Sequence, residues 1–199
     1  MSKRPVVLVV MDGVGISDSE FGNAVKKAYK PTLDNLWENS PHTEIKAHGL
    51  AVGLPTDDDM GNSEVGHNAL GCGQIYSQGA KLVNENIETG EIFKTETWSG
   101  LVNNCKDGKM HFLGLLSDGN VHSHINHLKA LIKKAKEDGV KEVRVHALLD
   151  GRDVPETSAL TYVDDIEAYM AELNDDSFHA CIASGGGRMT ITMDRYEAN

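Results

Sequence analysis

The clearest pattern at the start of the chain is Pro5–Met11, an uninterrupted apolar run rich in β-branched residues. Such a run predicts a strand covered on both faces, as in parallel sheets. It breaks at Asp12-Gly-Val-Gly15 and passes into a Ser-, Asp- and Gly-rich loop. Pro31–Asn39 predicts a short helix with proline in its first turn, and residues 43–47 predict a second strand. Gly53–Gly73 has few periodic apolar positions, and so long a loop in a compact domain is usually functional; within it Glu64–Leu70 can open a helix. From Ser77 the pattern turns helical, with Leu82, Asn86 and Ile87 on one face, and continues so through Trp98–Cys105. After Lys109 strands and helices alternate. Strands are expected at Met110–Leu116, Glu142–Leu149 and Phe178–Ser184. Helices are expected at His124–Asp138, with Ile125, Leu128, Leu131, Ile132 and Ala135 on one face, and at Ser158–Leu173, with Leu160, Val163, Ile166, Met170 and Leu173. That order predicts an α/β fold with parallel strands and right-handed crossovers. The shift near residue 77 predicts a domain boundary.

Composition narrows the function classes. The chain has 199 residues, and 19 Lys and Arg against 30 Asp and Glu give a formal charge of −11. This acidity argues against a general binder of nucleic acid or anionic membrane. With 40% apolar and 25% charged residues the chain can build a core. No apolar run approaches the roughly 20 residues of a spanning helix, and the first residues do not read as a secretory signal. Cys72, Cys105 and Cys181 are widely spaced and odd in number, which fits a reduced, cytoplasmic protein without a CxxC pair.

Four candidate sites fall where strands run into loops, the place where open α/β sheets bind ligands. Asp12 follows the first strand; it suits a hard metal ion or phosphate-bearing site, or merely caps turn amides. Ser63, in Gly61-Asn-Ser-Glu-Val-Gly-His67, stands at a predicted helix N-terminus. There the free N–H groups favour an alkoxide or a phosphoryl group, or the serine is a plain N-cap. A serine-hydrolase elbow needs glycine two residues on, where Val65 stands. His122, His124 and His127 match no HExxH pattern; they suit an anionic substrate or structural hydrogen bonds better than zinc. Asp150-Gly-Arg-Asp153 offers a guanidinium fork for phosphate or carboxylate, with a carboxylate beside it for a hydroxyl; as a surface pair it would contribute little. Of only five arginines, Arg152, Arg188 and Arg195 lie in Gly- or Asp-flanked loops after strands, as expected for local reading of a small anion. Neither GxxxxGK[ST] nor a complete GxGxxG occurs.

In this order the motifs resemble the cofactor-independent (2,3-bisphosphoglycerate-independent) phosphoglycerate mutases of the alkaline phosphatase superfamily. The resemblance rests on Val9-Val-Met-Asp-Gly-Val-Gly15, Gly61-Asn-Ser-Glu-Val-Gly-His-Asn68, Leu116-Ser-Asp-Gly-Asn-Val-His-Ser-His124, Leu149-Asp-Gly-Arg-Asp153, and Gly187-Arg188 through Met193-Asp-Arg-Tyr-Glu197. It runs the length of the chain but covers only the N-terminal part of the family, and Ser184–Met189 is similar to the plant and kinetoplastid branch.

The resemblance implies an α/β, parallel-sheet sandwich architecture. Residues 1–77 would be the first part of an alkaline-phosphatase-like, metal-binding domain, and 78–199 most of an inserted α/β phosphotransferase domain. It implies interconversion of 3- and 2-phosphoglycerate in glycolysis and gluconeogenesis. Asp12 and Ser63 would be metal ligands. Ser63 would also be the nucleophile that becomes phosphoserine. His122, Arg152, Asp153, Arg188 and Arg195 would bind substrate. The complete enzyme would carry two Mn²⁺ ions (Mg²⁺, Co²⁺ or Zn²⁺ being alternatives), need no 2,3-bisphosphoglycerate, and act as a cytoplasmic monomer on a small molecule, with no nucleic acid or membrane partner. A metal-bound Ser63 alkoxide would take the 3-phosphate, and the retained glycerate would take it back on its 2-hydroxyl. Further metal and substrate ligands of the family would lie beyond Asn199, so the 199 residues alone are expected to be inactive. The competing readings are a metal-dependent phosphatase or sulfatase relative and a non-catalytic small-anion-binding fragment.

Overall fold

A computed structural model of the chain describes residues 5–11 and 13–191. It divides into two compact units, residues 1–45 and 46–199. The division falls at 45/46 rather than near 77. This division by packing does not test the functional boundary expected near residue 77.

In the first unit Asn23 caps α1 (Ala24–Lys27), its side chain accepting from the Lys26 N–H. α2 (Pro31–Asn39) begins on proline as expected, and Lys30 reaches Asp34 at 2.5 Å across its first turn. Trp37 stacks on His42, with ring centroids 4.3 Å apart. The expected strand at Pro5–Met11 is not formed, nor is the one at 43–47. Val6 is 94% and Met11 46% exposed. The reason is physical: an all-apolar strand is stable only with hydrogen-bonding neighbours on its edges and cover on both faces, and the described residues of this unit pair no strand with it.

The second unit is built on a three-stranded parallel sheet, β1 (Met110–Leu116), β2 (Glu142–Leu149) and β3 (His179–Gly187), in that spatial order. α6 (Ile125–Glu137) and α7 (Ala159–Leu173) are the connections that parallel pairing requires. Central β2 alternates: Val143, Val145 and Ala147 are buried, while Arg144, His146 and Leu148 are less so. The buried set packs against Ile125, Ile132 and Ala135 of α6 and Ile166 and Met170 of α7. Ile132 and Ile166 are fully buried, each contributing about 1.5–3 kcal/mol relative to exposure. The faces of α6 and α7 are those the sequence predicts, although Leu160 stays exposed, as does Leu82 of the face expected with Asn86 and Ile87.

Three further helices precede the sheet: α3 (Ser63–Cys72), α4 (Gly79–Glu88) and α5 (Glu96–Asn104). Trp98 of α5 enters the main core and donates its indole N–H to Asp138 at 2.7 Å. Val52, Leu54 and Val65 form a small second cluster beneath the loop before α3. The cysteines are all free thiols. No helix among the described residues is long and apolar enough to cross a membrane.

Candidate functional site

Four sequence-predicted side chains lie in one region, at the carboxyl ends of the strands. The end of β3 carries Gly185, Gly186 and Gly187, and a register shift opposite Val145/His146, between Ile182 and Ser184, precedes them. A Cβ on Gly185 would lie 2.9 Å from the Ala147 carbonyl oxygen, so only glycine lets β3 run this close to β2. The glycine run ends in a last helical turn, Arg188–Ile191, which brings the Arg188 side chain back over the ends of the strands, 7% exposed.

Arg188 Nη1 donates to Asp150 Oδ1 and to Asp153 Oδ2, each at 2.7 Å. Asp150 is the hub. Its Oδ2 accepts from the Ser117 hydroxyl at 2.6 Å, and its Oδ1 also accepts the backbone N–H groups of Arg152 and Asp153 at 3.0 and 3.1 Å. Burial pushes the Asp150 carboxyl up, but these donors outweigh it and leave it below the ordinary carboxylate value. Burial likewise pushes the Arg188 guanidinium down, and Asp153 and Asp150 outweigh it, so its pKa is raised. His122 Nε2 stands 3.9 Å from Asp153 Oδ2 and is well exposed. One guanidinium, two carboxylates and an imidazole thus gather at the strand ends, with Arg152 exposed on the adjoining turn. Asp153 is fixed by Arg188 and faces His122, placing an acceptor beside cationic groups, as recognition of a hydroxylated small anion requires.

Gly119 makes this packing possible. A Cβ there would lie 2.9 Å from the Asp153 carbonyl oxygen and 3.0 Å from its Cβ, so the β1–α6 loop presses directly on Asp153.

Ser63 opens α3 on its first residue and is exposed. The N-cap is Asn62, whose side chain accepts from the Val65 N–H at 3.0 Å. The capping reading of Ser63 is therefore corrected: its hydroxyl is spared that task and stands among the first-turn N–H groups. His67 Nδ1 lies 2.6 Å from the Ser63 carbonyl oxygen and 3.2 Å from Ser63 Oγ. A carbonyl can only accept, so His67 Nδ1 carries its proton and cannot take one from the hydroxyl. The pair is not a hydrolase dyad.

The histidines of the β1–α6 loop separate by role. His124 is the N-cap of α6, accepting from the Asn126 N–H at 3.2 Å. His127 bonds Asn84 of α4, and burial, then His124, push its pKa down. Tyr162 donates to Asp118 at 2.6 Å, which with burial pushes its phenol up to about 12. Among the described residues no three His, Cys, Asp or Glu side chains gather to hold a metal. Asp12 and Arg195 lie outside the described residues. A cleft of about 490 Å³ is lined by Asp59, Asn84, Glu88, Asp118, Asn120 and His127, among others.

Sequence reasoning missed Asp150 and Ser117, the groups that hold the cluster together. The available signal was the one applied to Asp12, a carboxylate immediately after a strand.

Comparison with known proteins adds an independent line. Residues 83–199 match the family model described as BPG-independent PGAM N-terminus. The chain is 54% identical over 200 residues to a probable 2,3-bisphosphoglycerate-independent phosphoglycerate mutase of Leptospira interrogans, covering 98% of this chain and 36% of that protein. It is 50% identical over 202 residues to the enzyme of that name from Trypanosoma brucei, covering all of this chain and 37% of the relative. A solved structure, of Leishmania mexicana phosphoglycerate mutase at low cobalt concentration, superposes with a TM-score of 0.82 at 49% identity, covering 96% of this chain and 35% of that one. The chain thus spans little more than a third of the length of these relatives. The fold agrees with that structure, and the chain belongs to the family of 2,3-bisphosphoglycerate-independent phosphoglycerate mutase N-terminal regions.

Proposed function

We propose that this chain supplies the phosphoryl-accepting serine and much of the substrate grip of an enzyme that interconverts 3- and 2-phosphoglycerate in the cytoplasm. The observation that carries the reading is Arg188 bridging Asp150 and Asp153 beside His122 at the ends of parallel strands. A simple phosphatase or sulfatase would not need a carboxylate and cationic groups assembled to retain the dephosphorylated product.

In this reading Arg152, Arg188, His122 and Arg195 bind the substrate's carboxylate and phosphate. Ser63 Oγ attacks the 3-phosphoryl group in line, and the bond from phosphorus to the substrate oxygen breaks. Asp153, oriented by Arg188, exchanges protons with the glycerate hydroxyls. The glycerate turns within the cluster, its 2-hydroxyl attacks phosphorus and gives its proton to Asp153, and the bond from phosphorus to Ser63 Oγ breaks, returning the serine oxygen. Because His67 Nδ1 already carries its proton, it does not deprotonate Ser63; in the complete protein a divalent ion held by Ser63 and Asp12 would lower the hydroxyl's pKa so that it gives its proton to solvent. A divalent ion belongs to the proposal for the complete protein, with Asp12 and Ser63 among its oxygen donors and Mn²⁺ as the proposed ion. The described residues bring only Ser63 to it, so they do not form a metal site.

Calorimetric titration of the chain with 3-phosphoglycerate, with and without Mn²⁺, tests the reading. Saturable binding that is lost in Arg188→Met and Arg152→Ala, and that exceeds binding of inorganic phosphate, is expected. Equal affinity for phosphate and phosphoglycerate, or no heat, would overturn it.

A further inference from the structure

Asp59 lies just before Ser63, and Asn120 just before His122. They are 61 positions apart, yet Asn120 Nδ2 donates to Asp59 Oδ1 at 2.6 Å. The other Asp59 oxygen, Oδ2, accepts both the Thr56 N–H at 2.7 Å and its hydroxyl at 2.8 Å. The backbone carbonyl of Asp59 accepts from Gly49 at 3.2 Å. The carboxylate is therefore rooted in the segment that leads to α3.

Asn120 has φ of 56°, the only non-glycine residue with positive φ among those described. Glycine is the residue such a position ordinarily takes, and asparagine is the side chain that tolerates it best. Its Oδ1 is buried with no hydrogen-bond partner among the described residues. The side chain is thus held in this unfavourable setting by its bond to Asp59.

We propose that Asn120 and Asp59 are positioning residues whose hydrogen bond fixes the Ser63 segment against the loop that carries His122, so that the nucleophile and the substrate grip keep one arrangement. The proposal rests on the function read above only for what the arrangement serves; the tie itself is independent of it. Neither residue touches the reacting atoms. Each acts through the loop it anchors, Asp59 on α3 and Asn120 on the turn that presses on Asp153.

The test is a charge-swap rescue in the 199-residue chain. Asn120→Asp sets two carboxylates face to face and breaks the tie. Adding Asp59→Asn restores a donor and an acceptor in reversed order. Amide exchange at Thr56 and Val65, across the tie from the substitution, is read alongside calorimetric affinity for 3-phosphoglycerate. With circular dichroism unchanged, Asn120→Asp is expected to speed exchange at both amides about tenfold and to weaken phosphoglycerate binding several-fold, and the double variant to recover both. Asn120→Gly removes the side chain without straining the positive φ, and is expected to speed exchange similarly if Asn120→Asp fails to fold. Exchange within twofold of wild type in the folded single variants, or no recovery in the double variant, overturns the tie. Absence of phosphoglycerate binding in the wild-type chain overturns the functional reading instead, and exchange still decides the tie.

Discussion

Arg188 and Asp150 form an almost fully buried ion pair, Nη1 to Oδ1 2.7 Å, in which the Asp150 side chain is only 1% exposed. The same guanidinium nitrogen holds Asp153, so the candidate site and the stability of the strand ends depend on one side chain. Removing one partner of such a pair leaves an uncompensated buried charge. Arg188→Met is therefore expected to cost about 3–5 kcal/mol in urea denaturation. A loss below about 1 kcal/mol would mean that the cluster is solvated rather than buried.

Gly119→Ala tests whether the β1–α6 loop presses on Asp153. The added methyl would sit 2.9 Å from backbone that cannot swing aside. Loop or turn must shift, at a cost of about 1–3 kcal/mol, and Asp153 must move relative to His122. Thermal unfolding should show the loss, and 3-phosphoglycerate affinity should fall with it. An unchanged melting temperature with unchanged affinity would show that the contact is slack.

Cap and nucleophile are separable at the start of α3. Asn62→Ala removes the side chain that accepts from Val65 and should cost about 0.5–2 kcal/mol. Ser63→Ala should leave stability within about 0.5 kcal/mol, since its hydroxyl caps nothing. In the complete enzyme Ser63→Ala should abolish turnover and Asn62→Ala should only weaken it. Chemical denaturation of the two variants checks the first contrast, and assay of the complete enzyme checks the second.

The sequence patterns that succeeded and failed differ in what they need from the rest of the molecule. Met110–Leu116 and Glu142–Leu149 are strands at the expected residues, because each pairs with a neighbour within reach of one helical crossover. Pro5–Met11 has the strongest strand signal and forms none. Its propensity is useless without edge partners, and local sequence does not say where those are. Of the candidate site, Ser63, His122, Arg152, Asp153 and Arg188 were legible as polar residues at strand and helix ends. Asp150, Ser117 and the Asp59–Asn120 bond were not. Their importance comes from who meets whom across 33 to 61 residues of chain, which periodicity does not encode.

His127 gives the fold a pH dependence near neutrality. Its pKa is held below the ordinary 6.5 by burial and by His124, so the unfolded chain binds the proton more readily. The resulting contribution is complete above about pH 6.5 and is lost as pH falls through the lowered folded-state value. Unfolding free energy should therefore decline on acidification from pH 7 toward 5, and His127→Gln should flatten that decline. An equal slope in both proteins would assign the dependence to other groups.

The most direct test of the account follows the backbone amides of the isotopically labelled chain during titration with 3-phosphoglycerate. Saturable shifts are expected to cluster at Gly119, His122, Arg152, Asp153 and Arg188, to be absent in the Arg188→Met variant and to be weaker with inorganic phosphate. No saturable shifts, or shifts confined to the cleft around Asn84 and His127, would contradict the assignment of the Asp150–Asp153–Arg188 cluster as the substrate grip.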